Sequence, residues 1–198
     1  MNIPEGQLSE KERIFLYEIV KEKKPKLILE SGTWKGGGST LFITKSLFDN
    51  GFGVLHTYEE HTGFYEIAKN FYDNIELKNN IILHNKSIID GLKELDDEFF
   101  QRIELIFLDG GDELPSGQLK RDSNDYIENY NLSENVESFK FLFDRIKIGT
   151  TILLHDWYPE NGRGNWIKRY LEDINYKNIK LIEVIDGSTG LAHLIKEG

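Results

Sequence analysis

A short apolar run that leads into a glycine-rich turn and then a helical segment constrains this chain more than any other feature. The run spans 27–29, Glu30 follows it, and the turn occupies 32–38 before a helix predicted from about Ser39. In a parallel α/β sheet, such a turn lies at the carboxyl end of its strand, where small ligands bind. Glycines let the backbone approach a ligand, and the first N–H groups of the helix favour an anion. Because Glu30 would repel a polyphosphate, the sequence favours a ligand with hydroxyls, an amine and a carboxylate.

The spacing of the glycines separates several nucleotide-binding motifs. A phosphate-binding P-loop needs a lysine directly before the helical Ser or Thr, and Gly38 occupies that place. No register between Gly32 and Gly38 supplies the three glycines of the dinucleotide fingerprint G-x-G-x-x-G. The pattern E-x-G-x-x-x-G is present, with Glu30, Gly32 and Gly36. It resembles motif I of the class I S-adenosylmethionine-dependent methyltransferases.

Apolar segments of strand length alternate with helical patterns along the chain. Strands are predicted at 27–29, 53–58, 81–83, 103–108 and 151–154, and helices at 41–47, 64–71, 87–95, 133–148 and 166–174. A first helix within 1–25 is predicted to begin after Ser9, where Glu12 completes a capping box, and to end before Pro25. This alternation is typical of parallel strands joined by right-handed crossovers.

The end of the chain has a different pattern. Two apolar segments, 181–185 and 191–195, flank the turn Gly187–Gly190 and are predicted to form an antiparallel hairpin. The expected fold class is therefore α/β, a Rossmann-like seven-stranded sheet that is mostly parallel, with a C-terminal antiparallel hairpin and helices on both faces. The class I methyltransferases have this architecture, and we expect it to occupy 1–198 as a single domain.

Composition narrows the classes of partner. The chain has 198 residues, a formal net charge of -10 and no cysteine, so disulfides and thiolate metal sites are excluded. Nucleic acid is not an expected partner, because phosphate contacts need clustered Lys and Arg. The sequence contains no apolar run of membrane-spanning length and no leading signal segment, so we expect a cytoplasmic protein that binds no membrane. A homodimer is left open as the oligomeric state.

Acidic residues follow the second predicted strand. In the methyltransferase family, the acid at this place accepts hydrogen bonds from both ribose hydroxyls of the cofactor, and a carboxylate is suited to that role. The resemblance implies that Glu59 has this function, with Glu60 as the alternative if the register shifts by one residue. After the third strand, Ser87 lies where family members contact the adenine, and it is equally suited to cap the next helix.

The resemblance to motif I implies a site for S-adenosylmethionine around the glycine-rich turn. Its expected residues are Glu30, Gly32, Thr33, Trp34, Gly36, Ser39, Glu59, Ser87 and Asp109. Relatives with the pattern Gly-Thr-Trp/Tyr-x-Gly-Gly-Ser have one glycine fewer before the serine. Two alternatives therefore stay open for the methionine carboxylate, which is bound either by Ser39 or by the amides of Gly37 and Gly38.

Polar residues also follow the fourth and fifth predicted strands. Asp109 comes after the fourth strand, and His155 and Asp156 come after the fifth. Because the carboxyl ends of neighbouring parallel strands share one edge of the sheet, we expect these side chains to lie close together. Two carboxylates and an imidazole at short range need a bridging cation or a proton. Mg²⁺ prefers carboxylates, whereas a histidine shifts the preference toward Mn²⁺, Fe²⁺ or Zn²⁺.

These strand ends are similar to the metal site of the catechol-type and macrocin-type O-methyltransferases. The resemblance implies that Asp109, His155 and Asp156 bind a divalent metal, although the family has an acid where this chain has His155. The alternative is that His155 hydrogen-bonds Asp109 without a metal. The candidate bases for an acceptor hydroxyl are Asp112 and His155. The polar stretch 110–131 is long for a β–α loop and is expected to be a lid or a substrate-binding insertion.

The sequence thus predicts an enzyme that transfers a methyl group from S-adenosylmethionine to a hydroxyl of a small molecule, a sugar being one candidate. The prediction includes a variant in which a divalent metal such as Mg²⁺ assists the methyl transfer. Two alternatives use the same scaffold. One is a hydroxylase of the kind named cephalosporin hydroxylase, and the other is a scaffold that binds the cofactor without catalysis.

Overall fold

Seven strands form one sheet in a computed structural model of the chain, which describes residues 3–110, 133–159 and 163–198. In chain order they are β1 (Leu27–Ser31), β2 (Val54–Tyr58), β3 (Ile81–His84), β4 (Leu105–Leu108), β5 (Thr151–His155), β6 (Ile179–Ile185) and β7 (Leu191–Lys196). Their order across the sheet is β3-β2-β1-β4-β5-β7-β6. Strands β1 to β5 are parallel, and β7 pairs antiparallel with both β5 and β6. The expected fold class is confirmed.

Seven α-helices and one 3₁₀-helix are present in the described residues. They are α1 (Glu10–Lys23), α2 (Ser39–Asn50), α3 (Thr62–Asp73), the 3₁₀-helix (Glu76–Asn80), α4 (Ile88–Lys93), α5 (Asp97–Arg102), α6 (Glu134–Phe143) and α7 (Arg163–Asp173). The capping box predicted for α1 is formed, since Glu12 N–H donates to Ser9 Oγ at 3.3 Å and Ser9 N–H donates to Glu12 Oε2 at 2.8 Å. None of these helices combines the length and apolar character needed to cross a membrane.

Two α-helices differ from the prediction, and the 3₁₀-helix was not predicted either. The helix predicted over 133–148 ends at Phe143, with Asp144 as its C-cap, and the chain then passes through Gly149, at φ 86°, before β5. Helix α5 was not predicted, since a helix of only 6 residues is too short to show a periodic pattern. It is nonetheless a capped element, in which Asp96 Oδ1 accepts from Phe99 N–H at 2.8 Å.

Alternate residues of the central strands pack into two apolar layers, one on each face of the sheet. On one face, Leu27 and Leu29 pack with side chains of α6 and α7, among them Phe139 and Trp166. On the other face, Ile28 belongs to a second layer formed with α1, α2 and α3. This burial on both faces explains why the central strands are continuously apolar, and it leaves the carboxyl edge of the sheet for polar residues.

Two expectations about domain organisation stay predictions. The lid or substrate-binding insertion expected at 110–131 lies, apart from Gly110, outside the described residues. The same is true of the candidate base Asp112. The extent of a single domain over 1–198 is likewise an expectation rather than a finding.

Candidate active site

A cavity of about 690 Å³ lies at the carboxyl edge of the sheet, beyond the ends of β1, β2 and β4. Seven residues predicted for the cofactor site line it: Gly32, Thr33, Trp34, Ser39, Glu59, Ser87 and Asp109. The cavity occupies the place at which parallel α/β sheets bind their ligands. The glycine-rich turn and the acid after β2 therefore contribute to one wall, as the sequence predicted.

Backbone conformation explains two of the glycines in the turn. Gly32 has φ 95°, and a Cβ added to it would lie 2.7 Å from the carbonyl oxygen of Asp109, where β1 and β4 approach each other. Gly36 has φ 84°, and a Cβ there would lie 2.9 Å from the ring of Tyr72. The Tyr72 hydroxyl donates to Gly36 O at 2.8 Å. Gly36 therefore packs the turn against α3, whereas Gly32 lies on the cavity wall.

The second of the three consecutive glycines, Gly37, has a neighbour that the sequence did not reveal. Residues 4–8, here called the N-terminal strap, cross over the turn, and a Cβ on Gly37 would lie 1.9 Å from Pro4 O. The strap is also held by an ion pair of 2.6 Å between Glu5 and Lys35. Its last two residues, Gln7 and Leu8, line the cavity. A side chain at position 37 would therefore collide with the strap, which explains why Gly37 is a glycine.

Glu59 has the geometry expected of a ligand for vicinal hydroxyls. Its Oε2 accepts the Trp34 N–H at 2.7 Å and its Oε1 accepts the His61 N–H at 2.9 Å. Each carboxylate oxygen offers two lone pairs, so both atoms keep acceptor capacity toward the cavity. Burial raises the pKa of Glu59, partly offset by these two backbone donors. Glu60, the alternative, also lines the cavity.

Glu30 lies beneath the glycine turn rather than on the cavity wall. It is fully buried, and its Oε2 accepts a hydrogen bond of 2.8 Å from Thr40 Oγ1 at the start of α2. Burial raises the pKa of Glu30 to about 7, although hydrogen bonds from Ser39, Thr57 and Thr40 lower it in part. Its observed contacts hold the turn and α2 together.

Ser87 caps the next helix, as one of the two interpretations predicted, and its contact with the adenine stays a prediction. Its Oγ accepts the Asp90 N–H at 3.2 Å and so caps α4. The same residue lines the cavity next to Ile88, on the side of Glu59. A serine oxygen that caps a helix can still donate its own proton or accept with its second lone pair.

The strand-end residues Asp109, His155 and Asp156 lie together, as predicted, with their ligand atoms within 4.8 Å of one another. His155 Nδ1 is 3.0 Å from Asp109 Oδ1 and 3.5 Å from Asp156 Oδ1. His155 is buried behind the cavity, and Asp109 lines it. This juxtaposition follows from the register of β4 and β5, in which Leu108 pairs with Leu154.

Two charged residues of this cluster were not predicted. Arg163 Nη1 lies 2.7 Å from Asp109 Oδ1 and 3.0 Å from Asp156 Oδ2. Glu12 Oε1 lies 3.6 Å from His155 Nε2, although Glu12 belongs to α1. The capping pattern identified Glu12 only as a local helix residue, and no motif marked Arg163. Both reach the site through tertiary packing, which sequence spacing does not show.

The charged groups of the cluster shift the pKa values of one another. Burial lowers the pKa of His155, but the carboxylates of Asp109 and Glu12 outweigh it and raise the pKa to about 10. Burial raises the pKa of Glu12, yet hydrogen bonds with His155 and Ser9 bring it to about 2. For Asp109 the opposing effect of burial is overcome by Arg163 and His155, so its pKa is lowered. At neutral pH His155 therefore carries a proton.

The donor types suit a divalent metal, but their present contacts leave little room for one. His155 Nδ1 is directed at two carboxylates, and its Nε2 is 3.2 Å from Thr189 Oγ1. Metal binding by His155 would require the release of its proton. Arg163 already bridges the two carboxylates. The three residues are brought together as predicted, and metal binding by them stays a prediction.

Known proteins were compared with this chain in sequence and in structure. No protein-family model matches it, and no curated protein matches it in sequence. Several solved structures match in fold over nearly the whole chain. An O-methyltransferase from Bacillus cereus in complex with SAH is 19% identical, with 99% of this chain and 85% of that chain covered and a TM-score of 0.69. The chain has the fold of these methyltransferases.

Two further matches have similar values. The O-methyltransferase TomG from Streptomyces achromogenes, in complex with SAM, is 17% identical, with coverage of 97% and 82% and a TM-score of 0.69. A putative caffeoyl-CoA O-methyltransferase from Staphylococcus aureus is 12% identical, with coverage of 98% and 86% and a TM-score of 0.69. At these identities the likeness establishes the fold, and the chemistry has to be argued from the site.

Proposed function

We propose that this protein transfers the methyl group of S-adenosylmethionine to a hydroxyl of a small molecule. The observation that carries the proposal is the position of Glu59, which lies in the cavity beyond β2 with each carboxylate oxygen held by a backbone N–H. An acid fixed in this way can accept from both hydroxyls of a ribose. The O-methyltransferase fold and the SAH or SAM bound in its structural neighbours support the same cofactor.

The start of α2 is suited to the methionine carboxylate of that cofactor. The N-cap residue Gly38 provides no side-chain cap, so the first N–H groups of α2 are not satisfied by one. Gly38 and Ser39 both line the cavity, whereas Gly37 lies under the strap. Of the two alternatives for the carboxylate, we therefore favour Ser39 with the N-terminus of α2. Ser87 and Ile88 line the remaining side of the cavity, which we assign to the adenine.

When bound, the cofactor supplies an electrophilic methyl group on a sulfonium. The chain's own task is to align an acceptor hydroxyl with it and to remove the hydroxyl proton, since an alcohol is a poor nucleophile. With a pKa of about 10, His155 is protonated near neutral pH. Its Nδ1 can then donate a hydrogen bond to Asp109 Oδ1, which holds Asp109 at the cavity wall. We keep Asp112 as the proposed base.

The acceptor is proposed to be a small hydroxylated molecule such as a sugar. A net charge of -10 disfavours nucleic acid and favours a neutral acceptor. We propose that 110–131 contacts the acceptor, because Gly110 lines the cavity and leads directly into that segment. A cytoplasmic location belongs to the proposal, because S-adenosylmethionine is synthesised inside cells.

A homodimer is also proposed, through the edge of the sheet that β6 forms among the described residues. Strand β6 is the last strand of the sheet, and its apolar residues Leu181 and Ile182 are 47% and 42% exposed. Lys180 and Glu183 on the same strand have opposite charges, so two antiparallel copies of β6 would place each lysine near a glutamate of the other copy. Exposed apolar edge strands favour such pairing.

Product analysis with a labelled methyl donor tests the proposed reaction. The protein is incubated with S-adenosylmethionine carrying a CD₃ group and with a panel of sugars and phenols, and the products are identified by mass spectrometry. We expect one acceptor to gain the CD₃ group, with release of an equal amount of S-adenosylhomocysteine. Glu59→Ala should abolish this transfer, whereas Glu66→Ala, at an exposed position of α3, should not.

Two other results would contradict the proposal. An acceptor that gains an oxygen atom would indicate the hydroxylase alternative. Binding of S-adenosylmethionine together with hydroxylated acceptors, but without any release of S-adenosylhomocysteine, would indicate a non-catalytic scaffold.

A further inference from the structure

The cation between the two strand-end carboxylates is a side chain of this protein. Arg163 Nη1 contacts Asp109 Oδ1 at 2.7 Å and Asp156 Oδ2 at 3.0 Å, so one nitrogen joins the carboxyl ends of β4 and β5. The Arg163 side chain is 14% exposed and lines the cavity. A guanidinium stays protonated at any pH at which the protein is folded. Its charge at this position is therefore permanent.

The backbone around Arg163 fixes this arrangement. Arg163 is the first residue of α7, and a Cβ added to the next residue, Gly164, would lie 2.4 Å from His155 O. The Asn165 N–H donates to Asp156 O at 3.1 Å. The start of α7 is thus packed directly on the end of β5. This backbone packing brings the start of α7, and with it Arg163, beside Asp156.

An ion bonded to Asp109 Oδ1 and Asp156 Oδ2 would compete with Arg163 Nη1 for these two oxygens. Mg²⁺ and similar ions bind carboxylate oxygens at roughly 2.0–2.2 Å and keep several waters in a fixed geometry. Such an ion would lie against a fixed positive charge, and Asp109 and Asp156 would have to release Arg163. One oxygen of each carboxylate, and Nδ1 of His155, therefore already have partners within the protein.

We propose that Arg163 takes the place of a divalent metal in this site. Its guanidinium bridges Asp109 and Asp156, positions Asp109 at the cavity wall and presents the site's cation to the cavity. The protein accordingly works without a divalent metal. This inference concerns the cluster alone and holds whether or not the proposed methyl transfer is correct.

Mn²⁺ binding measured by electron paramagnetic resonance tests the proposal without any cofactor or acceptor. The full-length wild type, Arg163→Gln, the double variant Arg163→Gln/Asp109→Asn and the control Arg102→Gln, an exposed position of α5, are titrated with Mn²⁺ after treatment with EDTA. We expect weak binding to the wild type and the control. Arg163→Gln should bind one Mn²⁺ per chain at least tenfold more tightly, and Asp109→Asn should abolish that gain.

Two results would overturn the proposal. The first is a wild type that binds one Mn²⁺ per chain tightly, with binding lost in a single Asp109→Asn variant that is titrated alongside. The second is a folded Arg163→Gln variant that binds Mn²⁺ no better than the wild type. If Arg163→Gln does not fold, the wild-type titration decides alone, since weak binding supports the proposal and tight binding at Asp109 refutes it.

Discussion

Glu30 is a fully buried acid whose Oε1 has no hydrogen-bond partner among the described residues. Burial raises its pKa from an ordinary value of 4.5 to about 7. A raised folded-state pKa means that the folded protein binds this proton more tightly than the unfolded chain does. The stability associated with that proton is complete below about pH 4.5 and is lost as the pH rises through about 7.

Replacement of Glu30 by glutamine should therefore flatten the pH dependence of stability. Between pH 5 and pH 8, we expect the free energy of unfolding of the wild type to fall by on the order of 2 kcal/mol more than that of Glu30→Gln. Urea unfolding of both proteins at the two pH values measures the difference. Glu10→Gln, at an exposed position of α1, is the control and should change with pH as the wild type does. An equal loss in Glu30→Gln and the wild type would contradict the pKa assigned to Glu30.

Among single residues, the sequence predicts those whose position follows from the strand they belong to, and it misses those that tertiary packing brings to the site. Glu59 and Asp109 follow apolar strands, and the ends of parallel strands share one edge, so both lie on the cavity wall. Glu12 of α1 and Arg163 of α7 reach the site through tertiary packing, and neither follows a predicted strand in the sequence. Glu30 was expected on the wall, but its place under the turn depends on how α2 packs on β1.

The glycine turn and the N-terminal strap form one packed unit. A Cβ on Gly37 would overlap the carbonyl group of Pro4, whose oxygen would be 1.9 Å away. Gly37→Ala must therefore displace the strap from the turn. We expect it to cost about 1–3 kcal/mol of stability and to lower the Tm by several degrees, as measured by differential scanning calorimetry.

A shortened chain provides the control for Gly37→Ala. In a protein that begins at Gln7, Pro4 is absent, so the same substitution should cost much less than in the full chain. The two costs form a double-mutant cycle, and their difference measures the contact between strap and turn. Equal costs in both chains would show that Gly37 is required for another reason.

The sequence predicts most elements because each has a strong local signal. The box of Ser9 and Glu12 marked the start of α1, and the turn Gly187–Gly190 marked the hairpin of β6 and β7. Helix α5 lacked enough residues for a periodic pattern. The end of α6 at Phe143 was not predicted, because the apolar residues Ile146 and Ile148 continue the helical pattern beyond it.

At the level of the whole molecule, we expect the dimer proposed through β6 to be disrupted by one charged substitution on that strand. Leu181→Asp places a carboxylate on the exposed apolar edge and should weaken self-association at least about tenfold. Ile67→Asp is the matched control, since Ile67 is 44% exposed but lies on α3. Size-exclusion chromatography with light scattering measures the mass of each protein. A monomeric wild type, or equal dissociation of both variants, would rule out this edge as the interface.

The overall topology was predictable because crossovers between parallel strands are right-handed and a hairpin must pair antiparallel. These two rules, applied to the order of the segments, leave few arrangements for seven strands. The nature of the cation in the site was not predictable in the same way. It depends on where the start of α7 packs against the end of β5, at Gly164 and His155.

Isothermal titration calorimetry shows whether the cavity binds S-adenosylmethionine through Glu59. S-adenosylmethionine is titrated into the wild type, Glu59→Ala and the control Glu66→Ala, each with and without EDTA. We predict micromolar binding to the wild type and the control, unchanged by EDTA, and a loss of at least about tenfold in Glu59→Ala, because two hydroxyls lose their acceptor. Binding of equal strength to Glu59→Ala, or no binding to the wild type under either condition, would contradict the account.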